Sequence, residues 1–176
     1  MTLWFVVGTA AELIKVVPLI RGATRRGWQW RVVSTGQSGV NLRRQYEDFK
    51  LPPAQALSLL DSHTDLARSN QAFKWFARAL WKSPRGLAHD KSLVAPHWIV
   101  VHGDTLSTVV GAHWGWRLGW PVAHVEAGLR SHHILQPFPE EICRRLVSRL
   151  ARVHFAPDQT AVENLQRAKV KGKVIH

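Results

Sequence analysis

Three acidic positions stand where the chain leaves a short apolar run or a proline turn. They are Asp104 in His102-Gly103-Asp104-Thr105, Glu126 in His124-Val125-Glu126-Ala127-Gly128-Leu129-Arg130, and Glu140, followed by Glu141, after Pro139. Carboxylates that converge on one place can move protons to and from a bound molecule. Trp98-Ile99-Val100-Val101 and Pro121-Val122-Ala123-His124-Val125 read as buried strands, because short β-branched runs between turn signals suit a parallel sheet interior. Asp104 and Glu126 then fall at carboxyl ends of strands, the edge at which open α/β sheets bind ligands. Asp104 also has a plainer reading as the cap of a helix beginning near Thr105. Its company with Glu126 and Glu140 tips the balance towards chemistry.

The elements that must hold these groups alternate. Strands are expected near 3–8, 30–35, 98–102, 121–125, 153–156 and 173–176, with 56–60 as a weaker candidate. Helices fit 12–26, 39–49, 64–82, 105–118, 139–151 and 159–169, with Gly27, Gly86, Gly119 and Pro157 as punctuation. This pattern predicts an α/β fold, a parallel sheet with helices on both faces. Pro18 falls inside the first helix and implies a late start or a kink, since an interior proline costs about 3 kcal/mol. In the third helix Phe73, Phe76, Ala77 and Leu80 form an apolar stripe that Ser83-Pro84-Arg85-Gly86 is expected to break.

At 176 residues and 45% apolar content the chain suits one domain with a substantial core, and two full domains would be crowded. No apolar stretch approaches a membrane span, and Leu3 to Val7 is too short for a signal-peptide core, so membrane insertion is not expected and a cytoplasmic location is. The lone Cys143 fits a reducing compartment, argues against a cysteine metal site and reads as a packing residue. A net charge of +12 attracts anions of any kind. Much of it lies between Arg68 and Lys91 and between Arg167 and Lys173, and basic residues opposite an apolar stripe usually form a solvated face. No nucleic-acid-binding motif accompanies the charge, so nucleic acid is not expected as a partner. Of the nine tryptophans, Trp75, Trp81, Trp114 and Trp116 read as packing surface.

Val6-Val7-Gly8-Thr9 leads from a strand into a helix, an arrangement that presents backbone amides and a positive helix end to an anion. Gly8 would allow close approach of a phosphate or sugar. A single glycine makes this neither a Walker loop nor a dinucleotide fingerprint. Lys15 adds a cation near that helix end, or is an ordinary surface lysine. Ser34-Thr35-Gly36-Gln37-Ser38-Gly39 offers further polar groups at the same edge, or is a plain strand-helix loop.

Together these segments resemble the non-hydrolysing UDP-N-acetylglucosamine 2-epimerase family. The resemblance rests on Gly8-Thr9 with Glu12 and Lys15, Thr35-Gly36-Gln37, Val101-His102-Gly103-Asp104-Thr105, His124 to Arg130, and Pro139-Glu140-Glu141 with Arg144. It implies a Rossmann-like domain that is one half of a GT-B-like two-domain architecture. Residues 1–176 would form the amino-terminal half, with a carboxy-terminal domain supplied in cis or by a separate chain. It implies interconversion of UDP-N-acetylglucosamine and UDP-N-acetylmannosamine, for bacterial surface polysaccharide precursors, with no nicotinamide or metal. By the same resemblance Asp104, Glu126 and Glu140 match the catalytic acids, and Lys15 and Arg144 match positions for substrate binding or catalysis. Gly8, Thr9, Gln37 and His102 would line the substrate site, and a homodimer is a further expectation. Which acid takes the C2 proton stays open.

Two stretches depart from the family pattern. The family usually reads Gly-Thr-Arg-Pro-Glu at the first turn, where this chain has Ala10 and Ala11, and Ser38 stands where a histidine commonly follows the glutamine. The alternatives are therefore a GT-B-type glycosyltransferase, or an inactive half that binds a nucleotide sugar or a partner.

Overall fold

The computed structural model describes residues 1–52, 56–58, 69–89, 94–131, 133 and 136–176. Seven parallel strands form one sheet in the order β3-β2-β1-β4-β5-β6-β7. They are β1 Thr2–Val7, β2 Gln29–Ser34, β3 Ala56–Ser58, β4 Trp98–His102, β5 Val122–Val125, β6 Val153–Phe155 and β7 Lys173–Ile175. The helices are α1 Ala10–Arg25, α2 Gly39–Asp48, α3 Ser69–His89, α4 Leu106–Leu118, α5 Glu140–Leu150 and α6 Gln159–Arg167. The expected fold class is the one observed. Of the weaker strand candidate, residues 59–60 lie outside the described residues, as do residues 64–68 of the third helix.

Strand order reverses direction between β1 and β4. The turns after these two strands therefore lie side by side at the carboxyl edge, the usual place for a ligand crevice in such sheets. Alternation within each strand sends side chains to two layers. Trp4, Val6, Ile99, Val101 and Val122 face α3, α4 and α5, where they meet Trp75, Val110, Trp114 and Val147. Gly111 of α4 lets that helix lie against the sheet, since a Cβ there would come within 2.9 Å of Val6 and 2.8 Å of Val101. Leu3, Phe5, Val32, Val100 and Ala123 face the other way, against Leu13, Val17 and Ile20 of α1 and Leu42 and Tyr46 of α2. These residues make up the second layer. Beyond α1 it opens into a largely apolar cavity of about 720 Å³, bounded by Leu19, Trp98, Val125, Val153, Phe155 and Ile175 among others.

Several local expectations are corrected. α1 runs unbroken through Pro18, because burial of Leu13, Val16, Val17, Ile20 and Ala23 along one face outweighs the lost backbone bond. The α3 backbone likewise continues past Ser83-Pro84-Arg85-Gly86 to His89. Its buried face is Trp75 and Ala79 flanked by Phe76 and Leu80, while Phe73 and Ala77 are exposed, so the apolar stripe is rotated from the expected one. Lys74 and Arg78 are exposed on the same helix, as a solvated basic face requires. Trp75 and Trp114 are core residues whose indoles donate to the carbonyls of Thr35 and Ala79. Trp81 and Trp116 are largely exposed and are not packing surface. Among the described residues no helix is long and apolar enough to cross a membrane.

Candidate active site

The β1–α1 turn is built around Glu12. Thr9 caps α1, and Glu12 closes the reciprocal capping box. Glu12 Oε2 accepts from the Gly8 amide at 2.8 Å and the Thr9 amide at 2.9 Å, and Oε1 accepts from Thr105 Oγ1 at 2.7 Å. Thr108 Oγ1 lies 3.1 Å from the same oxygen. This carboxyl is almost fully buried. Burial pushes its pKa up, against the opposing pull of Thr105 and of the Gly8 and Thr9 amides. The amides of Gly8 and Thr9, expected to be open to an anion, are thus occupied by Glu12. Gly8 is required for a different reason: a Cβ there would collide with Ser107 and Thr35. Its role is to let the β1 and α4 turns touch. Gln37 belongs to the same knot, accepting from Ser107 Oγ, which leaves Thr35 Oγ1 to donate to Ser107 Oγ at 2.8 Å.

Glu126 follows β5 directly with a left-handed backbone, φ 62°, strained for a residue with a side chain. Lys15 Nζ reaches across from α1 to 2.9 Å from Oε1 and 3.1 Å from Oε2. On its inner side His102 Nε2 lies 3.3 Å from Oε2. His102 is buried, and burial lowers its pKa although Glu126 works in the opposite direction. Lys15 is 53% exposed and Glu126 29%, so water reaches this pair.

Asp104 does not cap α4. Thr105 does so, accepting from the Thr108 amide, which frees the Asp104 carboxylate for a partner forty residues away. Arg144 of α5 places Nε 2.9 Å and Nη2 2.6 Å from Asp104 Oδ2. Behind it stands Glu141, fully buried, with Arg145 Nε at 2.8 Å, Arg144 Nη1 at 3.6 Å and the Ser131 amide at 3.2 Å. Burial alone would push the Glu141 carboxyl up. The Ser131 amide and the guanidiniums of Arg145 and Arg130 outweigh it and hold the pKa below the usual carboxylate range.

Glu140 sits in the first turn of α5 with Oε2 buried and without a hydrogen-bond partner. The buried Cys143 thiol, pushed up to about 12 by burial, also feels the charges of Asp104 and Glu140. Both carboxylates therefore lie around the start of α5. Cys143 packs in the core, as its surroundings in the sequence suggested.

Asp104 and Glu126 thus occupy adjacent strand ends, each with a cation from the opposite helical layer, and Glu140 adjoins the Asp104 side. Residues to which the sequence reading gave no supporting role hold the arrangement together. Glu12, Thr105 and Thr108 join two turns, Glu141 anchors Arg144, and His124 Nε2 donates to the Gly103 carbonyl at 2.7 Å, just before Asp104. His124 and His154 are paired across β5 and β6 and are fully buried; burial lowers their pKa values to about 3 and about 4. Among the described residues no group of three or more His, Cys, Asp or Glu side chains is placed to hold a metal ion.

A sequence profile described as UDP-N-acetylglucosamine 2-epimerase matches residues 22–176. The chain belongs to this family. A UDP-N-acetylglucosamine 2-epimerase of Salmonella borreze is 34% identical over 97% of the chain and 43% of its own length. The structure of the Neisseria meningitidis UDP-GlcNAc 2-epimerase bound to UDP-GlcNAc superposes with a TM-score of 0.82 at 29% identity, over 99% of this chain and 45% of that one. The Methanocaldococcus jannaschii UDP-GlcNAc 2-epimerase, solved with UDP-GlcNAc and UDP, gives 0.79 at 30% identity, over 99% and 46%. The chain thus spans less than half the length of these epimerases. The residues matched by the profile include Asp104, Glu126, Glu140 and Arg144 and begin after Glu12 and Lys15.

Proposed function

We propose that this chain is the amino-terminal, Rossmann-like half of a two-domain UDP-N-acetylglucosamine 2-epimerase, completed by a second domain in cis or as a separate chain. The observation that carries the reading is the pairing at the sheet edge. Two carboxylates on adjacent strand ends, each beside a basic side chain, match a reaction in which a proton and a diphosphate leave the same sugar. In the proposed scheme one of Asp104, Glu126 and Glu140 accepts the proton from C2. The freed electron pair forms a C1–C2 double bond, the C1–O bond breaks, and UDP departs with that bond's electrons. Re-addition of UDP at C1 and delivery of a proton to the opposite face of C2 give the epimer. The sequence is redox-neutral and consumes no co-reactant.

Lys15 and Arg144 are the cations for the diphosphate and its developing charge. His102 acts by positioning Glu126. Gly8, Thr9 and Gln37 shape the floor through the Glu12 and Ser107 contacts. A cytoplasmic role in supplying surface polysaccharide precursors follows from the family reading.

The test follows exchange of the C2 proton with solvent deuterium by NMR, using UDP-N-acetylglucosamine without any acceptor. A polypeptide extended to family length is expected to exchange, and the 176-residue chain alone is not, because one wall gives little control over orientation or water. Absence of exchange in the extended polypeptide would sink the epimerase reading. Robust exchange by the chain alone would sink the need for a second domain.

A further inference from the structure

The two cations at the edge are held in different ways. Arg144 is only 17% exposed; it grips Asp104 through two nitrogens and has the buried Glu141 on its other side. Removing it from Asp104 would disturb a buried arginine cluster. Lys15 has no such anchor. Its ammonium sits on a flexible stem at the solvent side of Glu126, and both partners are open to water. An ion pair of that kind is weak, because water solvates both partners and screens their attraction.

We propose that Lys15 is an exchangeable cation: Glu126 occupies it in the empty site, and an incoming diphosphate takes it over, so that anion binding and release of Glu126 are a single event. The inference deepens the epimerase reading and rests on it for the identity of the anion. A diphosphate carries more than one negative charge and accepts strong charge-assisted hydrogen bonds, so it competes well for a half-exposed ammonium. The exchange leaves the Glu126 carboxylate in the site without its ammonium partner.

Two features keep the released carboxylate in place. The left-handed backbone at Glu126 fixes where the side chain leaves the strand. The His102 ring, buried and 3.3 Å from Oε2, stays as its remaining partner. His102 is thus a positioning residue for Glu126.

The experiment is a double-mutant cycle on binding of inorganic pyrophosphate and of UDP to the 176-residue chain, measured by titration calorimetry. Glu126→Gln is expected to tighten pyrophosphate binding about two- to fivefold, the range set by an exposed ion pair. Glu47→Gln, which makes the same charge change at the far end of α2, is expected to leave binding nearly unchanged. In a Lys15→Gln background the effect of Glu126→Gln is expected to vanish. Equal tightening with and without Lys15 would show a general charge effect and overturn the proposal, as would unchanged or weaker binding by Glu126→Gln, or no binding by either protein. Glu126→Ala provides a second variant should the amide form a new contact. These outcomes are independent of C2 exchange, so failure of the exchange mechanism and failure of the epimerase reading are distinguishable.

Discussion

Asp104 and Glu126 come to one sheet edge with opposite kinds of support. Asp104 is tied from the α5 layer by a guanidinium that is itself held by a fully buried carboxylate, Glu141. Glu126 is tied from the α1 layer by an ammonium in contact with solvent, with one buried histidine behind it. The difference teaches that partner charge alone says little about how firmly a group is held. What counts is whether the partner has somewhere else to go. Arg144 has not, because leaving strands Glu141 among fewer cations. Lys15 can turn to water or to a ligand.

The sharpest way to break this comparison is to remove the anchor. Glu141→Ala leaves Arg130, Arg144 and Arg145 without their shared carboxylate, and stripping one partner from a buried ionic cluster costs about 3–5 kcal/mol. Thermal unfolding should move down by about 2–4 °C for each kcal/mol in a domain of this size. An unchanged midpoint would show that the cluster is not the support assigned to it.

Next in size come the carboxylates themselves. In a polypeptide of family length, Asp104→Asn, Glu126→Gln and Glu140→Gln are each expected to lower epimerisation at least about 10²-fold, the low end for acid/base groups. Initial rates by NMR would check this. Near-normal turnover in all three would remove the catalytic grouping.

Acid should test the deeper support of the Asp104 turn. His124 and His154 are buried and neutral, with pKa values lowered to about 3 and about 4 from 6.5, and Arg130 lies within their electrostatic reach. For a base lowered on folding, stability is complete above the unfolded value and is lost as pH falls from about 6.5 towards the folded value. The expected loss is roughly 1 kcal/mol per histidine for each pH unit in that window. The raised pKa of Glu12 has the opposite sign, and Glu141 adds its own loss only below the ordinary carboxylate range. Denaturant midpoints at pH 7 and pH 5.5 would measure this, and His124→Asn should flatten the dependence.

Much of the fold was legible because local pattern and tertiary demand agree in the strands. Runs such as Trp98 to Val101 are short, β-branched and bounded by turns, and they became strands within a residue or two of the expected ends. In α3 the local pattern was ambiguous: apolar residues lie on more than one face, and contact with α4 selected Trp75 and Ala79. Trp116 and Trp81 misled for a related reason, since an indole raises apolar content whether or not anything covers it. The acids at strand ends were visible from position. Their supports were not, because Glu12 reaches Thr105 across 93 residues and Glu141 collects guanidiniums from both sides of its own position. In sequence each is simply an acid in a first helical turn, where the helix dipole alone would explain it. The motif containing His102 and His124 was plain, but only the strand register sends His102 to Glu126 and His124 to the Gly103 carbonyl.

The smallest effect tests the comparison most finely. Lys15→Gln removes the cation from Glu126, yet water already reaches the carboxylate and can hydrate it, so stability is expected to change by no more than about 0.5 kcal/mol. Arg144→Gln removes two charge-assisted hydrogen bonds to Asp104 and one cation from the buried Glu141, at an expected cost of about 1.5–3 kcal/mol. Both substitutions delete one positive charge at the same sheet edge, so long-range effects of net charge nearly cancel between them. The quantity to measure is the difference in unfolding free energy by denaturant titration at one pH and ionic strength. If Lys15→Gln costs as much as Arg144→Gln, Lys15 is anchored as firmly as the arginine and Glu126 is not held by an exchangeable partner. If both are near zero, the Glu141 cluster carries the α5 side without Arg144, and the two supports differ less than their geometry indicates.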